Sequence, residues 1–333
     1  MAGMEKMMKR RNGIVIVLAA VLMASAGLAY WRSTQTPVAD FVEYAMTEPN
    51  DIPTALAIAV DGMPWFTMDS ANALGRIREG RVERIVIAKR NSVEPIGLDV
   101  DAQGAVWFTD ALGQSIGSLS PEGKFSYHPL DTPIARLGRL AVAPDGAVWF
   151  AESTAYSITR LKAGKLTRHE IKNVRGGPYG VAHDGQGNAW ATLQAANQLM
   201  RIAPDGKITE FEVPTRAASP TDLTVDAKGD VWFLEFKGNK VGVLSDGKII
   251  EYPVPGKDWA GLSGIDVAPD GSIWFGLLRH HAIGRIRNGE IKIFNLPRPQ
   301  ARPYSVAADP SGNIWYADIS GYVGMLKKEA AKR

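Results

Sequence analysis

The sequence predicts an all-β chain, a seven-bladed β-propeller of four-stranded blades. Three observations carry that expectation. Tryptophans recur at Trp65, Trp107, Trp149, Trp190, Trp232, Trp274 and Trp315, at spacings of 42, 42, 41, 42, 42 and 41 residues. Six of the seven are followed by Phe or Tyr, Ala191 after Trp190 being the exception. Turn dipeptides such as Asp145-Gly146, Asp205-Gly206 and Asp246-Gly247 recur inside the periods. One aromatic signature per 41–42 residues is the period of a propeller blade.

Residues 262–297 show how one period reads. Gly264 to Ala268 is a short apolar strand, and Pro269-Asp270-Gly271 turns it, with Gly free to take positive φ. Ser272 to Leu277 is the second strand and holds the Trp. A loop around His280 leads to Ala282–Arg287, then an Asn288-Gly289 hairpin turn and a fourth strand over 290–296. A large flat side chain on every second strand fills the wedge between twisted neighbouring sheets, and burying one contributes roughly 2–3 kcal/mol.

The ends follow from the count. The seventh period has strands over 304–308, 313–317 and 322–327 and no fourth. Phe41-Val42-Glu43-Tyr44 resembles the fourth strands Ile250-Glu251-Tyr252-Pro253 and Glu210-Phe211-Glu212-Val213. The N-terminal segment is therefore expected to supply the outer strand of the last blade and cover an open edge. The propeller is expected over 41–327, with a short tail over 328–333.

Residues 1–32 read as an export signal. Lys6, Lys9, Arg10 and Arg11 precede an apolar run from Ile14 to Met23, and small residues follow. Ala24-Ser25-Ala26 fits a cleavage pattern. Extended to Trp31 the run reaches 18 residues, enough for an uncleaved anchor and membrane attachment through residues 13–31. Both readings place the body outside the cytoplasm, in the periplasm or cell envelope, after a linker over 33–40. The chain has no cysteine, which excludes disulfides and thiolate metal sites. A net charge of +3, with no basic run in the body, excludes nucleic acid as partner. A monomer is expected.

The repeated pattern of Asp270-Gly271, Trp274-Phe275, Ile283-Gly284-Arg285, Gly289 and Leu296-Pro297 resembles the streptogramin lyase (virginiamycin B lyase) family over nearly all of residues 41–327. The resemblance implies a seven-bladed propeller. It also implies an elimination that opens cyclic depsipeptides, using a magnesium ion and a histidine base. The family's histidines lead into first strands, 11 residues before the Trp. Here those positions hold Thr54, Ile96, Gly138, Tyr179, Thr221, Ser263 and Tyr304. None is His. Loss of a general base removes roughly 10²–10⁴ in rate.

Blade topology places the residues leading into first strands, and the loops from second to third strands, at one end of the axis. That end gathers Arg136, Arg139, Tyr179, Asp222, Trp259 and Tyr304 as candidate ligand-binding residues. Asp110, Glu152, Glu235 and Asp318 stand three residues after their Trp, where oxygen ligands could hold Mg²⁺ or Ca²⁺. His280-His281 is the candidate base, though His281 takes the turn position of Asn72, Asn197 and Asn239. Two functions stay open. One is an exported propeller binding a small molecule, peptide or envelope protein at this mouth without lyase activity. The other is a metal-dependent carbon–oxygen lyase.

Overall fold

The structure is a computed structural model that describes residues 40–69, 71–87, 95–132, 136–172 and 177–333. The export signal and most of the linker lie outside the described residues. Among the described residues no helix is long and apolar enough to cross a membrane.

Twenty-eight strands form seven antiparallel four-stranded sheets. Blades 1 to 6 occupy residues 52–86, 98–129, 137–170, 178–212, 220–253 and 262–295, each a meander of four consecutive strands. Blade 7 comprises β26 (Pro303–Ala308), β27 (Ile314–Asp318), β28 (Tyr322–Leu326) and β1 (Phe41–Ala45). β1 pairs antiparallel with β28, Phe41 opposite Leu326 and Ala45 opposite Tyr322. First strands of successive blades touch around the whole ring, so they line the axis.

Strand alternation explains the paired aromatics. The Trp and the residue after it point to opposite faces of the blade. Trp65 packs with Leu98 and Phe108 of blade 2, while Phe66 packs with Trp315 of blade 7. Trp190 meets Phe233, Trp232 meets Phe275 and Trp274 meets Tyr316 in the same way. Each interface therefore sets the Trp of one blade against the ring of the next.

The Ile-Gly-Arg element has its reason here. Gly75, Gly117, Gly242, Gly284 and Gly324 sit opposite Phe66, Phe108, Phe233, Phe275 and Tyr316 in the register. A Cβ on any of them would come within 2.1–2.4 Å of the ring. Blade 4 exchanges the partners, with Ala191 on the second strand opposite Met200 on the third. That exchange accounts for the one Trp without a following aromatic.

The turns between first and second strands are of two kinds. Blades 2, 4, 5 and 7 carry Asp101, Asp184, Asp226 and Asp309 six residues before the Trp. Each accepts the indole N–H of its Trp on Oδ2 at 2.9–3.0 Å. Its Oδ1 accepts turn amides, as from Gln103 and Ala105 at Asp101. Blades 1, 3 and 6 have Ala59, Ala143 and Ala268 there instead. Their aspartates, Asp61, Asp145 and Asp270, stand two residues later and accept only within the turn and from basic side chains.

The chain ends in a helical turn, α1 (Lys328–Ala331). Ala330 and Ala331 are buried against Trp274 and Ile314, between blades 6 and 7.

Placing Ala at Gly284 should lower stability by about 1–3 kcal/mol, because the ring of Phe275 has nowhere to move in a packed interface. Urea unfolding of Gly284→Ala reads this, and an unchanged midpoint would show that the ring and the third strand are not in tight contact.

Candidate functional site

Two links cross the axis at the end where first strands begin. Tyr179 of blade 4 and Tyr304 of blade 7 occupy two of the seven positions leading into first strands, and their hydroxyls are hydrogen-bonded at 3.0 Å. Arg139 of blade 3 and Asp222 of blade 5 form an ion pair at 3.4 Å. Neither pair joins adjacent blades, so both span the channel. The Arg139 guanidinium also lies 5.5 Å from the centre of the Tyr304 ring.

A cavity of about 490 Å³ opens at this mouth, lined by these four residues together with Gln194, Phe236 and Lys237 among others. A second cavity of about 340 Å³ runs along the axis below and shares Arg139 and Asp222 with the first. Asp99 and Asp266 line the axial cavity. Asp99 accepts amides from Val100 and from Val142 of the next blade. Asp266 does the same with Val267 and Ala308. They stitch neighbouring first strands together, and burial pushes the Asp266 carboxyl up to about 6 against the pull of those amides.

Arg139 is only 8% exposed. Burial opposes its charge, but the Asp222 carboxylate and the two phenols outweigh it and hold the guanidinium above its ordinary value. Burial raises the Asp222 carboxyl, with Arg139 opposing. Burial also raises the Tyr179 hydroxyl, which stays a neutral donor. A guanidinium carries five N–H donors, and the buried Nε of Arg139 has no hydrogen-bond partner among the described residues. The mouth therefore offers spare cationic donors, phenolic hydroxyls and an aromatic wall.

The structure thus brings Arg139, Tyr179, Asp222 and Tyr304 together. Trp259 sits at the rim, its indole N–H donating to the Phe236 carbonyl and its ring edge-on to Phe236 at 4.7 Å. Arg136 is exposed, outside the cavity lining, and its amide donates to Thr154 Oγ1 at 2.9 Å. Gln194, Phe236 and Lys237 were not among the sequence candidates. They follow the second strands of blades 4 and 5, in loops already assigned to this end.

The four carboxylates do not converge. Each is fully buried at the end of its own second strand. Asp110 accepts from the Gly113 amide at 2.6 Å and the Ser115 hydroxyl at 3.3 Å. Glu152 accepts from Thr159 Oγ1 and pairs with Arg168 at 3.1 Å. Asp318 accepts from the amides of Arg302 and Ser320 and pairs with Arg298. Glu235 lies beside Glu251, which itself pairs with Lys240 at 2.7 Å. Among the described residues no group of three His, Cys, Asp or Glu could hold a metal ion, so these four do not fit a shared Mg²⁺ or Ca²⁺. His281 has φ 52°, as Asn239 has 54°, and its Nδ1 lies 2.7 Å from the Ala301 carbonyl. Neither His280 nor His281 lines the mouth cavity.

With this geometry in place, known proteins can be compared. The Virginiamycin B lyase family model matches residues 33–137 and 81–331. The chain belongs to the virginiamycin B lyase family. A virginiamycin B lyase from Nocardia farcinica is 32% identical over 223 residues, covering 66% of this chain and 76% of the relative. A solved streptogramin B lyase structure superposes with a TM-score of 0.82 at 28% identity, covering 86% of this chain and 96% of the other. A catalytically inactive histidine-to-alanine variant of the Staphylococcus aureus virginiamycin B lyase, with quinupristin, gives 0.81 at 26% identity, over 86% and 98% of the two chains. The family's scaffold is kept here while the seven positions leading into first strands hold no histidine.

Burial, and then the Glu251 carboxylate, push the Glu235 carboxyl up to about 8. An acid whose folded pKa exceeds its unfolded value is held by the fold in protonated form, so its contribution is full at low pH. That contribution should drain away as pH climbs from about 4.5 to about 8. Melting curves at pH 5 and pH 9 should show a larger drop for the natural chain than for Glu235→Gln, and equal drops would remove Glu235 as the cause.

Proposed function

We propose that this chain is an exported binding propeller that takes a small molecule, a peptide or an envelope protein at the mouth of its axis. The observation that carries the reading is the buried Arg139, with donors left over, framed by the Tyr179–Tyr304 bridge and paired with Asp222. A buried donor without an acceptor costs about 1–3 kcal/mol, so a ligand carbonyl or carboxylate that reaches it gains that amount on binding. Phe236 and Trp259 supply a flat apolar face beside the polar cluster, as ligand pockets commonly do.

Family membership supports a second reading, metal-dependent opening of cyclic depsipeptides. Against it stand the absence of histidine at the seven positions leading into first strands and the separate engagement of the four carboxylates. The export signal supports a site outside the cytoplasm for either activity.

Quinupristin, the compound with the S. aureus relative, is the first probe for both. Calorimetric titration of the full chain should give saturable binding. Tyr304→Phe should weaken it about 3–10-fold, the value of one hydrogen bond, with the melting temperature held. No saturable binding of quinupristin, or binding indifferent to Tyr304→Phe, would move the site elsewhere. Incubation with quinupristin and Mg²⁺, followed by chromatography and mass spectrometry, should leave the ring closed. A ring-opened isomer that a chelator abolishes would replace the binding reading with the lyase one.

A further inference from the structure

The end of the axis opposite the mouth carries grooves between blades, and they track the two kinds of turn. The blades with Ala six residues before the Trp are 1, 3 and 6, and each has a groove against the following blade. They measure about 680 Å³ beside Ala59 and Trp65, 500 Å³ beside Ala143 and Trp149, and 220 Å³ beside Ala268 and Trp274. The physical cause is local. Ala offers neither the bulk nor the carboxylate that pins the indole in the other four blades.

The smallest groove is small because the chain's own tail fills it. Blade 7 lacks a turn from third to fourth strand, and α1 stands in that place. Ala330 and Ala331 pack on Trp274, and the Ala331 carbonyl accepts from Arg285, which is stacked over Trp274 at 5.8 Å. Lys292 donates to the Arg333 carbonyl at 2.9 Å. Small side chains thus enter the groove, and a stacked Arg receives the backbone.

The groove between blades 1 and 2 repeats this frame without an occupant from the described residues. Arg76 stacks over Trp65 at 5.1 Å, in the place of Arg285 over Trp274. Val60 at its rim is 74% exposed, and Met63, Ile85 and Leu119 line the wall. Its rim charges are Asp61 and Glu122, and the tail from 327 to 333 carries Lys327, Lys328, Lys332 and Arg333 against one acid, Glu329. The groove between blades 3 and 4 is opposite in character, since its Asp145 is already neutralised by Arg160 at 2.8 Å and Lys162 at 2.6 Å.

We infer that the groove between blades 1 and 2 is a peptide-docking site for a short segment with the tail's chemistry: two small residues in a helical turn, flanked by Lys or Arg. The small residues would seat on Trp65 beneath Val60, a backbone carbonyl would accept from Arg76, and the basic flanks would meet Asp61 and Glu122. Electrostatic complementarity of this kind selects the partner and its register more than it sets affinity.

An acetylated, fluorescently labelled peptide with the sequence of residues 327–333, titrated against the full chain, tests this by anisotropy. Saturable binding is expected, weakening with added salt. Val60→Arg and Glu122→Lys alter exposed positions, so the melting temperature should hold while each weakens binding at least about fivefold. A peptide carrying Ala330→Phe and Ala331→Phe should not bind. Absence of saturable binding at the limit of peptide solubility would overturn the proposal. So would binding that Val60→Arg and Glu122→Lys leave unchanged, or binding as tight for the Phe peptide.

Discussion

An aromatic ring laid over a missing side chain holds each blade to its shape. Phe66, Phe108, Phe233, Phe275 and Tyr316 cover glycines on the adjacent third strand so closely that a Cβ would enter the ring. Strand alternation then sends the preceding Trp to the other face, where it meets the ring of the next blade. Two adjacent residues thus serve two different interfaces. The constraint concerns volume more than residue type, since blade 4 meets it with Ala191 and Met200 exchanged. Blade 3 meets it with Phe150 against Thr159, whose hydroxyl is held by Glu152.

The fold was legible because this constraint is periodic and involves the least common residue types. Trp at 41–42-residue spacing leaves little room for another architecture, and Asp-Gly and Asn-Gly pairs mark the turns within each period. The two kinds of turn are also written in the sequence, as Asp or Ala six residues before the Trp. Their consequence is not, because a groove is the space left between two blades and no single repeat contains it. The tail shows the same limit. Lys-Lys-Glu-Ala-Ala reads as a polar end, and its burial depends on a stacked Arg285 that is distant in sequence.

The candidate site was legible where backbone topology decides and illegible where side-chain direction decides. Topology alone gathered Arg139, Tyr179, Asp222 and Tyr304 at one end. The carboxylates reached the same end and yet do not meet. A residue three after the Trp shares the face of the residue directly after it, by the period of two. That face looks into the interface with the preceding blade and away from the axis. Asp110, Glu152, Glu235 and Asp318 are therefore committed to their own hairpins and outer strands. His281 is likewise committed by its backbone, because the left-handed turn position aims its ring at Ala301.

These commitments explain how the chain can share the virginiamycin B lyase scaffold while differing at the mouth. The residues leading into first strands lie outside the Trp–ring interfaces, so exchanging them leaves the blade contacts untouched. Tyr179 and Tyr304 stand at two of those positions and are long enough to reach each other across the axis. The opposite end varies on a different set of residues, those six before each Trp, and these also sit outside the ring–glycine contact. A seven-fold scaffold held by internal contacts thus leaves both ends of its axis independently variable. The mouth is set by what leads into the first strands, and the far end by what turns them.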